Sequence, residues 1–217
     1  GEQRYADGTA TDQDGNTFEW INYGDLDWAI ENAEVVTYRD GTEIPQVTDA
    51  TEWANLTTGA WCYYDNDPTK GKLYNWYAVV GIHDTDPYTP NKQFAPDGWH
   101  VPSVEDWETL LNYLMTSGYN YTTFSRSIAK AMASTTGWEG FSAAGATGKD
   151  QFLNNISGFN AFPVGRRNEA AIFAREGKSS LFWNSDGLKL HFLSYDKNYV
   201  TFSDPIDRKY GCSVRFV

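Results

Sequence analysis

Two cysteines in 217 residues are too few for a disulfide framework. Cys62 and Cys212 would pair only in an oxidising compartment, where the bond would tie an early segment to the last strand; buried free thiols are the commoner state of such residues. The sequence also lacks any run of about 18 apolar residues, the length a membrane-spanning helix needs. Basic residues are scarce, 17 Lys and Arg against 29 Asp and Glu, for a net charge of −12. So acidic a chain has no basic face with which to displace counterions, which excludes nucleic-acid phosphates and anionic lipid as partners and leaves neutral or cationic ones. Only three histidines are present. His83 stands in a loop, His100 in Gly98-Trp99-His100 and His191 in a strand, and none lies in a nucleophile motif of the kind acyl transfer requires. No internal repeat or low-complexity tract is visible. The opening Gly1-Glu2-Gln3 carries no export signal and reads as a mature chain from which one has been removed.

Aromatic side chains, by contrast, are abundant: 9 Trp, 14 Tyr and 12 Phe make up 16% of the chain. Such rings supply large contact area at low rotamer cost, which suits both recognition surfaces and densely packed cores.

Along the chain the signals are those of an α+β protein. Asp14-Gly15 is a hairpin turn followed by the alternating Thr17-Phe18-Glu19-Trp20-Ile21, and Asp40-Gly41 is a second turn. The clearest helix starts after Pro102, with Ser103 as cap, Asp106 returning the bond, and Trp107, Leu110, Leu111 and Leu114 forming one buried stripe up to the stop at Gly118. A shorter helix is expected from Ser125 to Ala133, with Ile128, Ala129 and Met132 inward. Between Gly137 and Gly165, Gly, Ser, Asn and Ala dominate without periodicity, which reads as long irregular loops. Strands are expected at Leu188–Leu193, Tyr199–Phe202 and Cys212–Val217, with turns at Asp186-Gly187, Asp196-Lys197-Asn198 and Asp204-Pro205. In the first of these, His191 alternates with Leu190 and Phe192 and so is expected on the wet face.

Candidate chemistry is sparse. Acid pairs such as Asp25/Asp27, Asp65/Asp67, Asp84/Asp86 and Asp204/Asp207 are numerous, but a glycosidase needs two carboxyls facing across a cleft, which spacing along loops does not establish. Glu105, Asp106 and Glu108 suit the helix dipole and a solvated face. The same hard oxygens make calcium the one ion the sequence suits. Asp12-Gln13-Asp14-Gly15-Asn16 resembles half of a calcium loop, yet Tyr23 occupies the twelfth position, so a tight turn is the better reading. Trp183-Asn184-Ser185-Asp186 is similar to the Trp-Asn-Asp of calcium-dependent sugar-binding lectins but has no Glu-Pro-Asn partner loop. No cofactor is otherwise implied.

Several segments together carry a family resemblance. These are Asp12–Asn16, Leu26–Ala33, Ala54–Tyr64, Tyr74–Val79, the run Ala95-Pro96-Asp97-Gly98-Trp99-His100-Val101-Pro102 through Trp107, Gly158–Pro163, Gly165–Asn168 and Gly211–Arg215. In this order they resemble the Fibrobacter succinogenes major paralogous domain, a family of secreted or surface-anchored bacterial modules. The match departs from the family at Ala95, where a cysteine is usual, at Cys212, which displaces another, and at Ala29, with Ile30 inserted beside it.

The resemblance implies a distant C-type lectin-like fold, with small antiparallel sheets, two flanking helices and long irregular loops, over a single domain of residues 1–217. It implies that Glu31 and Asn32 lock the sheet, that Arg167 beside Asn168 ties backbone carbonyls, that His100 is an interior structural imidazole, and that Trp76, Trp99 and Trp107 are core. For function, no organised triad or metal set but many Tyr, Trp and Asn residues in loops make a non-catalytic module the expectation, extracellular or anchored as a surface lipoprotein as the resemblance implies, and binding carbohydrate or a surface protein. The competing class is a structural subunit of an extracellular assembly such as an adhesin. An oxidase like the formylglycine-generating enzymes of the same fold would need Cys62 and Cys212 brought together. By analogy with phage receptor-binding relatives, the ligand residues are expected on the C-terminal hairpins: Asn184, Asp186, His191, Tyr195, Asn198 and Tyr199.

Overall fold

Asp14 and Gly15 fold the chain back because Asp12 gathers the turn: its carboxylate accepts from the Asp14 and Asn16 backbone N–H groups and from the Asn16 amide, while Gly15 takes a φ of 86° that L side chains avoid. This hairpin joins β1 (Gly8–Thr11) to β2 (Thr17–Tyr23). β3 (Leu26–Ala29) completes an antiparallel sheet of order β1-β2-β3. There follow α1 (Ala50–Ala54), β4 (Trp61–Tyr63), β5 (Lys72–Tyr74) and the single turn α2 (Trp76–Val79). Then come α3 (Val104–Thr116), α4 (Ala129–Met132), and five short strands: β6 (Arg166–Arg167), β7 (Phe173–Ala174), β8 (Ser179–Trp183), β9 (Leu190–Ser194) and β10 (Thr201–Phe202). The computed structural model describes residues 1–123, 126–187 and 189–217. Among them the architecture is α+β, with four small antiparallel sheets: β1-β2-β3, β10-β9-β8, β4-β5 and β6-β7.

The long helix is the one the sequence predicts. The Ser103 hydroxyl accepts from the Asp106 N–H, and the Asp106 carboxylate accepts from the Ser103 N–H, a complete capping box. Trp107, Leu110, Leu111 and Leu114 are all buried, and Gly118 with φ 83° follows the helix end. Trp107 packs edge-on to Trp28 at 4.8 Å and against Phe159 and Phe182. The second expected helix shrinks to the single turn of α4. Arg126, with φ 63°, stands in the left-handed region that a helix cannot pass through. Ser125, where that helix was expected to start, lies outside the described residues, as does Leu188 at the start of an expected strand.

The C-terminal segment departs further from expectation. It does not form a strand in one sheet; instead it threads between several elements, and every residue from 211 to 217 is buried. Its backbone exchanges bonds with Arg167, Tyr74, Leu181, Trp183 and His100, and accepts from Ala33 and Ala29. Alternation along Cys212–Val217 is therefore local patterning of a chain that has core on both sides. Trp76 and Trp99 are not core residues: both are half-buried and pack against the edge of the core cluster, Trp76 beneath Arg208 and Trp99 edge-on to Phe18.

Trp107→Ala deletes the ring at which the helix, β3 and β8 meet. Urea unfolding should show a loss of roughly 3–5 kcal/mol; an unchanged midpoint would mean that the helix does not seal the core there.

Candidate functional site

The six residues expected to face a ligand fall into two groups. Asn184 and His191 are buried, at 0% and 1% exposure. The expectation that His191 points to water is wrong because β9 is a central strand with both faces covered. His191, Phe182 and Leu193 face the cluster around Trp107, and Leu190, Phe192, Leu181 and Trp183 face the cluster around Phe216. The imidazole stacks on Trp107 with ring centroids 4.8 Å apart and planes within 12°. Its Nδ1 meets the Asn184 side-chain oxygen at 2.9 Å, while Asn184 donates to the Lys189 carbonyl. Both polar groups of Trp183-Asn184 are thus spent inside the fold. Asp186 is exposed, and its carboxylate accepts from the Val104 N–H, an added cap for α3.

Tyr195, Asn198 and Tyr199 form the second group, on the turn between β9 and β10. Tyr195 is fixed by its backbone, which donates to the Lys178 carbonyl and accepts from Gly148, and its half-exposed ring meets Phe141 edge-on at 5.5 Å. The Asn198 carbonyl accepts from Ala129, and Tyr199 is 41% exposed. The loop 141–148 lies against this turn: Thr147 bonds the Lys197 and Ser194 carbonyls. The half-exposed Tyr121 ring lies against Gly145 of that loop, where a Cβ would come within 2.4 Å of it. Phe141 and Tyr121 belong to this aromatic surface but were not singled out from the sequence. Their local signal was only the glycines of the loop, which admit a ring at close range.

Other chemistry-bearing residues have structural partners. His100 is exposed rather than interior, because its Nε2 meets the Asp106 carboxylate of the helix cap at 3.0 Å. His83 meets the Gly81 carbonyl and lies 3.4 Å from Asp84. Arg167 donates to the Val47 and Thr48 carbonyls, as expected, and is sandwiched between Trp53 and Phe173. Glu31 accepts from Glu19, and Asn32 from Arg215, which locks β2, β3 and the C-terminal segment together. Cys62 and Cys212 are free and buried; burial raises both thiols, Cys62 to about 11, which leaves little thiolate for a nucleophile. The acidic loops close on their own backbones: Asp84 accepts from Asp86, Asp86 from Tyr88, and Asp67 from Thr69. Among the described residues no three His, Cys, Asp or Glu side chains come together as a metal set, and no helix is long and apolar enough to cross a membrane.

Residues 21–217 match the sequence profile of the Fibrobacter succinogenes major domain. The chain belongs to that family. Neither the curated proteins nor the solved structures compared with it include a match. In this Fibrobacter succinogenes major domain the matched region holds all of β8, β9 and β10 and the segment 211–217, so the aromatic surface is part of the family region.

Burial, and secondarily the nearby Arg126, lowers the His191 pKa to about 4. Arg126 itself bonds Glu108, whose other oxygen lies 3.9 Å from the imidazole. The unfolded chain takes up this proton near pH 6.5, the folded chain only near 4, so stability is full above about 6.5 and falls as pH drops toward 4, by at most about 3 kcal/mol. His191→Gln should flatten that part of the pH profile of urea midpoints. An identical slope in the variant would show that other groups cause it.

Proposed function

We propose that this domain is a non-catalytic binding module, a single domain displayed outside the cell, whose ligand is a glycan or a surface protein met on the turn between β9 and β10. The supporting observation is the surface built there: Tyr195 and Phe141 in edge contact, with Tyr199 and Tyr121 exposed nearby, on backbone clamped by Lys178, Gly148 and Ala129. Rigid rings held on fixed backbone give contact area with little ordering cost on binding. The small antiparallel sheets and long loops suit a distant C-type lectin-like fold, and the net charge of −12 suits a neutral or cationic ligand. The raised thiols and the carboxylates closed on their own turns favour binding over catalysis.

Tyr195→Ala and Tyr199→Ala should each weaken capture of whichever glycan-array or cell-surface ligand the wild type selects by about 1 kcal/mol or more, with melting temperatures preserved. Full affinity in the double variant would remove the ligand from this turn.

A further inference from the structure

The turn joining β7 to β8 has two sides. Lys178 pairs with the backbone of Tyr195, whereas Glu176 lines a cavity of about 460 Å3 that holds none of the six hairpin residues. This volume falls within the ~300–1,000 Å3 of ordinary small-ligand sites. Its apolar wall is Ile30, Tyr64, Val164 and Phe162. Phe162 is 46% exposed, and its ring rests on Gly137, where a Cβ would come within 2.6 Å of the ring and where φ is 91°. The ring is thus backed by the chain at Gly137, and the residue lines the cavity.

The polar wall selects among ligands. Lys70 is engaged by Glu176 at 2.8 Å and Asp65 at 3.6 Å. Arg215 donates to the carbonyls of Ala29, Phe159 and Asn160 and to the Asn32 amide oxygen. Both cations are therefore committed, while Glu31 and Glu176 add negative charge to the same wall. Among the described residues an anionic ligand would meet two carboxylates and no free cation; a cationic one would compete with Lys70 for Glu176. The side-chain amide of Asn160 has no protein partner among the described residues, although its backbone is fixed by Asn155 and Arg215. It offers a donor and an acceptor together, and carboxylate oxygens accept from hydroxyls. A ligand that supplies hydroxyl groups around an apolar C–H face fits this set.

We propose that this cavity is a sugar site, taking one neutral pyranose residue with its C–H face on Phe162 and its hydroxyls on Asn160 and Glu176. The inference rests on the binding-module reading and adds to the β9–β10 turn a second, separate place with a named ligand class. The test is titration of the whole chain by ligand-observed NMR with the methyl glycosides of glucose, galactose, mannose and N-acetylglucosamine, and with methyl glucuronide as the anionic member. At least one neutral glycoside should bind and the glucuronide should not. Phe162→Ala and Asn160→Ala should each weaken that binding about ten-fold, Phe162→Tyr should retain it, and Tyr88→Ala, an exposed ring in neither surface, should leave it within about two-fold. Equal binding by wild type, Phe162→Ala and Asn160→Ala overturns the cavity; if Tyr195→Ala alone abolishes binding, the module reading survives with its sugar on the hairpin. Silence of every neutral glycoside toward the wild type overturns the sugar site, and capture of a cell-surface protein lost in the Tyr195→Ala/Tyr199→Ala variant would then separate that failure from failure of the module reading.

Discussion

Arg215 is a buried guanidinium in contact with no carboxylate among the described residues. Burial pulls its pKa down to about 9, so it stays charged at neutral pH. Removing such a charge from water is costly, and it is tolerated because backbone and amide oxygens surround it. It donates to Ala29 at the end of β3, to Asn32 beyond it, and to Phe159 and Asn160 in the long loop, while Phe159 and Phe182 lie at 4.7 and 5.4 Å from its centre. Three stretches of chain that share no sheet are thus fixed to the last strand-like segment. That segment in turn bonds Tyr74, Leu181, Trp183 and His100. The small sheets, each too slight to be stable alone, hold together because this buried thread satisfies their inner edges.

Both candidate surfaces inherit their rigidity from that thread. Asn160, fixed through its carbonyl by Arg215, sets the place of Phe162 two residues on, and the Phe162 carbonyl in turn accepts from Ser180 of β8. β8 is paired to β9, and the end of β9 carries Tyr195. The side chains offered to solvent are aromatic and amide groups on backbone that is already ordered, so a ligand would bring little ordering cost with it.

The helix Val104–Thr116 and the first hairpin were legible in sequence because their determinants are local: a capping box, a stripe at helical spacing, an Asp-Gly turn. His191 was misplaced because alternation reports which residues share a face, not whether that face is wet; the helix that covers it is some 80 residues earlier in the chain. His100 and Trp99 sat in the strongest family-like run, yet that run marks the entry to α3 at the surface, where His100 supports the cap. Arg167 was legible as a tie because an arginine beside an asparagine in a packed loop has few other uses. The cavity was invisible for a different reason. Its walls come from residues near 30, 64–71, 160–164, 176 and 215, and no spacing rule links them.

Native-state hydrogen exchange reads the dependence on the C-terminal thread most directly. If the thread organises the fold, the amides of Cys212, Ser213 and Val217, which donate to Tyr74, Leu181 and His100, exchange only with global unfolding, as slowly as the buried turns of α3. Fast exchange at those three amides while α3 stays protected would show a C-terminus that opens on its own and would contradict that dependence.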